Sequence, residues 1–355
     1  MNNKTWVSSA IALSVVCVSA MSVVQAASHA ETKNWSSLNS TSASMDDVTV
    51  YSSRKEHLIQ PLFQAFTKET GVKVKYLTGK GGALIERLKL EGSKTPADMF
   101  MTVDAGDLWY AGSQNVFQSV KTDTIKNNIP AHLRDPQGLW TGLSVRARTI
   151  VYSTDRVKPS ELSTYADLAS PKWKNRLCLR TSKKIYNKSL TASVIHNQGK
   201  DKAGDIITGW VNNLAATPNA KDSHVMDAIL AGQCDVGLVN TYYYGRLVEK
   251  NPDVALKIFW ANQNTTGVHV NISGAGVTKH ASNVAGATRL LEWLSSAKAQ
   301  AIYGALNKEY PANQNIAFDE VVSAWGSFKQ DKMNLAQAGI LQAEAVKLMQ
   351  IKGYK

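Results

Sequence analysis

"VTVYSSRKEHLIQPLFQAFTKETGVKVKYLTGKGGALIERLKLEGSKTPADMFMTVD", residues 48–104, decides the fold. VTVYS reads as a strand, and KEHLIQPLFQAFTKETG as an amphipathic helix closed by Gly71. VKVKYLT is a second strand, GALIERLKLEG a helix closed by Gly92, and ADMFMTVD a third strand. This β-α-β-α-β order predicts an α/β domain with a mostly parallel sheet covered by helices, in which ligands bind beyond the carboxyl ends of the strands. The GKGG at 79–82 lacks the Lys-Ser/Thr ending of a phosphate loop and is read as a helix-start turn.

A second alternating block lies downstream. ARTIVYS is a strand leaving the first lobe. NRLCLRT and CDVGLVN are strands of a second α/β unit, with helices over NKSLTASVIHN, AGDIITGWVNNLA and HVMDAILAG. GVHVNISGAGVTK is a return strand, and NVAGATRLLEWLSSAKAQAIYGAL supplies helices that complete the first lobe. The expectation is a two-lobed clamshell joined by two crossing strands. Lobe one is 48–147 with 272–322, and lobe two is 148–271 with 323–355.

Upstream, MNNKTWVSSAIALSVVCVSAMSVVQA has one early cation, Lys4, then an uncharged stretch ending in small residues, the pattern of a cleaved secretory signal over 1–26. Its apolar part is too short and too broken by serines to span a bilayer, and Cys17 leaves with it. Residues 27–47 are polar, Ser/Thr/Asn-rich and aperiodic, and read as a flexible arm. Export agrees with the two remaining cysteines, Cys178 and Cys234, each in a strand-like run and expected to pair in an oxidising compartment. There is no CxxC, HxH or HExxH, so a zinc site has little support. The net charge of +12 invites nucleic acid, but the cations are scattered and no recognition motif accompanies them. No nucleic-acid partner is expected.

Three consecutive tyrosines, Tyr242, Tyr243 and Tyr244, follow a strand in LVNTYYYGRL, residues 238–247, and Tyr186 lies 56 residues before the first of them in IYNKS. With VYSSRKE, TPADMFMTVDAGDLW, SVRARTIVYS, YADLASPKWKNRLCLRTS, HVNISGAGV and EYPAN, these segments resemble, in order and spacing, the periplasmic ferric-ion-binding proteins of bacterial ABC iron importers. The resemblance covers nearly all of 48–355. It implies the type II periplasmic-binding-protein clamshell and a periplasmic monomer. It implies Fe3+ as cargo, and an inner-membrane permease with its ATPase as partner. It also makes Tyr186, Tyr242 and Tyr243 the metal ligands, with Tyr244 to spare.

The chemistry agrees independently. Ferric ion is small, hard and highly charged and favours anionic oxygen, and phenolate is the most basic such side-chain donor. A bound trivalent cation displaces the phenol proton, so binding should weaken in acid. Neighbours on a helix point about 100° apart, so adjacent tyrosines are expected to share an ion at a turn where strand becomes helix, with Asn240 and Thr241 as caps.

Some members of the family add a histidine after the first-strand tyrosine and a glutamate after the third strand, and others a histidine and a tyrosine at the first place. Here those places hold Lys55, Glu56 and Val103. Three phenolates leave coordination positions open, and carbonate or bicarbonate is the expected synergistic anion. Arg54 is expected to grip it, with Arg146 or Arg148 in support, while Glu56 or His57 could join on closure. The same fold also carries oxyanions, polyamines and thiamine, but none of these explains Tyr186 together with the pair. No nucleophile and base stand at a recognisable spacing, so the chain is not expected to be an enzyme.

Overall fold

The computed structural model describes residues 47–313 and 315–355; the expected signal segment and all but the last residue of the expected arm lie outside the described residues. The elements run β1 (Val48–Ser52), α1 (Glu56–Thr70), β2 (Val74–Thr78), α2 (Gly81–Glu91), β3 (Met99–Thr102), α3 (Ala105–Ser113), α4 (Asp123–Asn128) and β4 (Thr141–Ser153). Next come β5 (Leu177–Cys178), α5 (Ile185–Gln198), α6 (Lys200–Asn212), α7 (Asp222–Leu230), β6 (Val236–Asn240), α8 (Thr241–Lys250) and β7 (Leu256–Phe259). The chain ends with β8 (Val270–Val277), α9 (Val284–Leu294), α10 (Ala297–Asn307), β9 (Tyr310–Pro311), α11 (Glu320–Ser323), α12 (Ala336–Ile340) and α13 (Gln342–Ile351).

The strands lie in the order β2-β1-β3-β8-β4-β6-β5, with β7 and β9 also paired to β4. Strands linked by a helix are parallel: β1 with β2, and β5 with β6. β1 and β3 are parallel too. The pairs made by β4 and β8 are antiparallel, so the sheet is mixed rather than mostly parallel. The cause is topological, because a helical crossover returns the chain in its starting direction, whereas β4 and β8 each traverse both lobes once, in opposite senses.

β4 is the shared beam. All of its 13 residues are buried, and at a strand's rise of about 3.3 Å per residue it reaches about 43 Å. From Thr141 to Ala147 it pairs with β8, and from Arg148 to Ser153 with β6 and β7, so its partners change between Ala147 and Arg148. β8 passes so close to the 139 carbonyl that a Cβ on Gly276 would lie 2.3 Å from it, and only glycine fits there.

Helical faces cover the sheet as their periodicity requires. α1 buries Leu58, Ile59, Leu62, Phe63 and Phe66, and ends on Gly71 in the left-handed conformation at φ 76°. Ile59, Leu62, Phe63 and Phe66 share a core with Met99, Leu290, Leu291 and Tyr303. In the second lobe Cys178 and Cys234 form a disulfide with Cα atoms 5.9 Å apart, joining β5 to the approach of β6. α12 packs against both α3 and α5.

Closing a loop across 56 residues removes chain entropy worth about 4 kcal/mol in the unfolded state. Denatured, unreduced protein should therefore show almost no titratable thiol, and the double variant Cys178→Ser, Cys234→Ser should lose up to about that stability in denaturant unfolding. A stoichiometric thiol signal would refute the pairing.

Candidate metal centre

β6 ends at Asn240, whose extended backbone (φ −76°, ψ 138°) turns the chain into α8. Two contacts fix that turn. The Asn240 N–H donates to Asp222 Oδ2 at 3.0 Å, and the Ala147 N–H of β4 donates to the Thr241 hydroxyl at 3.3 Å. The expected side-chain cap does not form: the Asn240 amide oxygen instead accepts from Arg148 Nη1 at 3.1 Å. The first helical N–H groups are left without a side-chain cap at the place where an anion would be favoured.

Tyr242 and Tyr243 are the second and third residues of α8, and their ring centroids lie 4.4 Å apart with planes tilted by 33°. The backbone is already helical there, and the convergence comes from the long side chains rather than from an irregular turn. Tyr186 is the second residue of α5. The Tyr242 hydroxyl donates to the Tyr186 hydroxyl at 3.2 Å, so two helix starts bring their phenols together. Tyr244 faces the other way: its hydroxyl donates to the Leu256 carbonyl at 3.2 Å, and its ring packs edge-on against Trp325.

Burial pushes the Tyr242 phenol well above its ordinary pKa, and the neighbouring phenols push the same way against the pull of Arg146. Burial raises Tyr186 as well, opposed by Arg146 and Arg180. Both groups are therefore neutral in the free protein at physiological pH. Among the described residues no cluster of three His, Cys, Asp or Glu side chains is arranged for a metal, so phenolic oxygen is the donor set on offer.

Three guanidinium groups surround the phenols. Arg146, from β4, lies 5.4 Å from the Tyr186 ring centroid and pairs with Asp104 at 3.3 Å. Arg180 lies over both Tyr186 (5.2 Å) and Tyr243 (5.9 Å) and pairs with Asp222 at 3.4 Å. Arg246 lies 5.3 Å from the Tyr242 centroid and donates to Asn307. Sequence reasoning passed over Arg180 and Arg246. Their signals were their places, at the end of the NRLCLRT strand and one turn after the tyrosine pair.

The other expected cations are engaged elsewhere. Arg148 is buried, giving Nη1 to Asp222 (3.1 Å) and to Asn240, and Nη2 to the Leu238 carbonyl at 3.1 Å. Arg54, 2% exposed, donates to Glu309 (2.8 Å) and Ser273 (2.6 Å) and lies over the Tyr303 ring at 5.1 Å. Only its Nε lacks a hydrogen bond. Burial alone would raise the Glu309 carboxyl, but Arg54 and Ser144 hold it below the usual carboxylate range. Lys55, Glu56 and His57 are exposed at the start of α1, where Glu56 accepts from the Tyr76 hydroxyl at 2.9 Å. Val103 is half-buried, with its N–H on Ser53.

Three phenols that ionise together would match the charge of a trivalent cation. Asp222 is shared by Arg148 and Arg180, and Arg246 donates to the neutral Asn307, so two positive charges are left over beside the phenols, where a further anion would be balanced.

Known proteins similar to this chain carry iron in their names. Iron uptake protein A1 of Synechocystis is 40% identical over 322 residues, which cover 89% of each chain. The major ferric iron-binding protein of Neisseria meningitidis is 28% identical over 288 residues, 79% of this chain and 85% of the other. Among solved structures, a Trichodesmium protein (IdiA, FutA) in complex with iron and citrate ligands superposes with a TM-score of 0.84 at 45% identity, over 87% of this chain and all of that one. Residues 51–301 match the family model described as bacterial extracellular solute-binding protein, and the chain belongs to that family.

Proposed function

We propose that this protein binds ferric ion in the periplasm through the phenolates of Tyr186, Tyr242 and Tyr243 and delivers it to an ABC permease with its ATPase. The observation that carries the reading is the convergence of three phenols from the starts of α5 and α8 beneath three arginines. Iron uptake and ferric iron binding are the named properties of the similar proteins. The likeness to the Trichodesmium complex adds support for iron bound together with a small carboxylate ligand. With no cluster of three His, Cys, Asp or Glu side chains among the described residues, an exogenous anion completes the coordination. Carbonate would be balanced by the guanidinium groups over the phenols, Arg146, Arg180 and Arg246. Arg54 and Arg148 support the walls through Glu309 and Asp222.

Ligand roles are separated from packing by removing single hydroxyls. Tyr186→Phe, Tyr242→Phe and Tyr243→Phe should each weaken ferric binding by at least about tenfold, or 1.4 kcal/mol. Tyr244→Phe should change it by less than about twofold. Phenolate-to-ferric charge transfer gives a visible band to titrate, and a protein that stays colourless with ferric salt and bicarbonate would defeat the proposal. Rigorous exclusion of bicarbonate should shift that band without bleaching it, because the phenolates remain; an unchanged band and affinity would remove carbonate from the site.

The pH dependence has a definite sign. The phenols of Tyr186 and Tyr242 are raised above their ordinary value, so each stays protonated through the acid and neutral range and must release its proton to the solvent when iron binds. Affinity for free ferric ion should fall as pH falls, by roughly one decade per pH unit for each phenolate formed. Competition against a chelator of known stability, with proton release followed in unbuffered solution, measures the slope. A flat profile would exclude phenolate ligation.

A further inference from the structure

Arg180 lies beyond the end of β5, a strand of only two residues, so little regular backbone fixes its place. It makes one parallel bridge, to Asn219. There the Asn219 N–H donates to the Leu179 carbonyl and the Thr181 N–H to the Asn219 carbonyl, both at 2.8 Å. The Arg180 carbonyl is held by two side chains: Asn187 Nδ2 donates to it at 2.7 Å, and the Tyr354 hydroxyl at 2.6 Å.

The two donors come from different segments of lobe two. Asn187 follows Tyr186 on α5. Tyr354 follows α13, where the chain turns at Gly353 with φ 74°, and its N–H donates to the Met349 carbonyl at 2.9 Å. Beside it the Lys355 carbonyl accepts from the Ser182 N–H at 2.9 Å. Residues 354–355 thus clasp residues 180–182 by two hydrogen bonds. Tyr354 is buried, and burial raises its phenol above the ordinary value, with Asp222 adding to the rise and Arg148 and Arg180 opposing it. The phenol therefore stays protonated, and a donor.

The side chain that this carbonyl anchors is the guanidinium over Tyr186 and Tyr243. Its far end is tied as well, because Nε donates to the Ala220 carbonyl at 3.2 Å and Nη1 pairs with Asp222 at 3.4 Å. While the phenols are neutral, Asp222 is the anion that draws the guanidinium. Phenolates would compete for it once a metal has taken their protons. A backbone held on both sides leaves the guanidinium in place for that moment without reorganisation.

On the reading that Tyr186, Tyr242 and Tyr243 hold ferric ion, we infer that Tyr354 is a positioning residue of the centre. Its hydroxyl fixes the Arg180 backbone, and so holds the guanidinium where it stabilises the phenolates of Tyr186 and Tyr243. Tyr354 touches neither metal nor anion and acts through Arg180 alone.

Wild type, Tyr354→Phe, Arg180→Lys and the double variant, each as the full-length protein, are titrated with ferric salt and bicarbonate against nitrilotriacetate, with the charge-transfer band as signal. Tyr354→Phe should weaken ferric binding by about three- to tenfold. It should also move the band to longer wavelength, because a phenolate less stabilised by a nearby cation gives charge to iron more readily. In the Arg180→Lys background, where the forked guanidinium is gone, the same substitution should cost less than about twofold. The unfolding midpoint of iron-free Tyr354→Phe should match wild type, since Asn187 still satisfies the carbonyl. Affinity and band equal to wild type would overturn the inference, as would a loss that adds in full to that of Arg180→Lys. A weaker affinity with a lowered unfolding midpoint and an unmoved band would also overturn it, since that is the mark of packing alone. In each of these cases the ferric reading stands. A wild type that develops no band would remove the ferric reading and this inference together.

Discussion

Asp222 has no exposed surface, yet its carboxylate meets the Asn240 N–H and the guanidinium groups of Arg148 and Arg180. Through these contacts one side chain at the start of α7 fastens the end of β6, the middle of β4 and the loop after β5. The helix start that carries Tyr242 and Tyr243 hangs from the first contact, and the guanidinium over Tyr186 and Tyr243 from the last. A buried charge network of this kind is held by mutual need: removing one partner typically costs about 3–5 kcal/mol, because the others are left uncompensated in a medium that solvates them poorly.

The same economy of charge governs lobe one. Arg54 and Glu309 neutralise each other where β1, β4 and β8 meet, with Ser144 and Ser273 supplying the remaining hydrogen bonds. Arg146 and Asp104 do so beside Asn271, whose amide donates to the same carboxylate. Burial pushes the Asp104 carboxyl up to about 7 in spite of Arg146. The walls of the centre are thus close to neutral, and the positive potential comes from Arg180 and Arg246. Under the proposed function, phenols kept neutral by burial and surrounded by cations form a site that charges only when a metal takes the protons.

That division has a mechanical side. Tyr244 is tied into the core with Trp325 and Leu256, which sets the rotation of α8 and so aims Tyr242 and Tyr243 at Tyr186. The disulfide between Cys178 and Cys234 clamps β5 to the lead-in of β6, and these two strands feed the loop bearing Arg180 and the helix bearing the tyrosine pair. β4, paired from Thr141 to Ser153 except at the irregularity between Gly142 and Ser144, fixes both lobes to one axis.

Periodicity and punctuation determined the elements. The apolar spacing in 56–70, the stops at Gly71 and Gly92, and the strand runs before Arg54 and Thr241 are local properties, set by steric limits and by which face must leave water. The proposed tyrosine donor set was readable for the same reason, since residue type and position after a strand are local. Charge pairing was not. Glu309 lies 255 residues from Arg54, and Asp222 lies 74 from Arg148. Nothing local distinguishes an arginine that will meet a carboxylate in the core from one that will lie over a phenol. Arg54 and Arg148 were read as anion grips and are spent on the frame, while Arg180 was passed over and lies on two of the three tyrosines. A strong long-range Coulomb contact depends on where folding brings two distant segments together, and that is decided only when β4 and β8 have crossed and the lobes have packed.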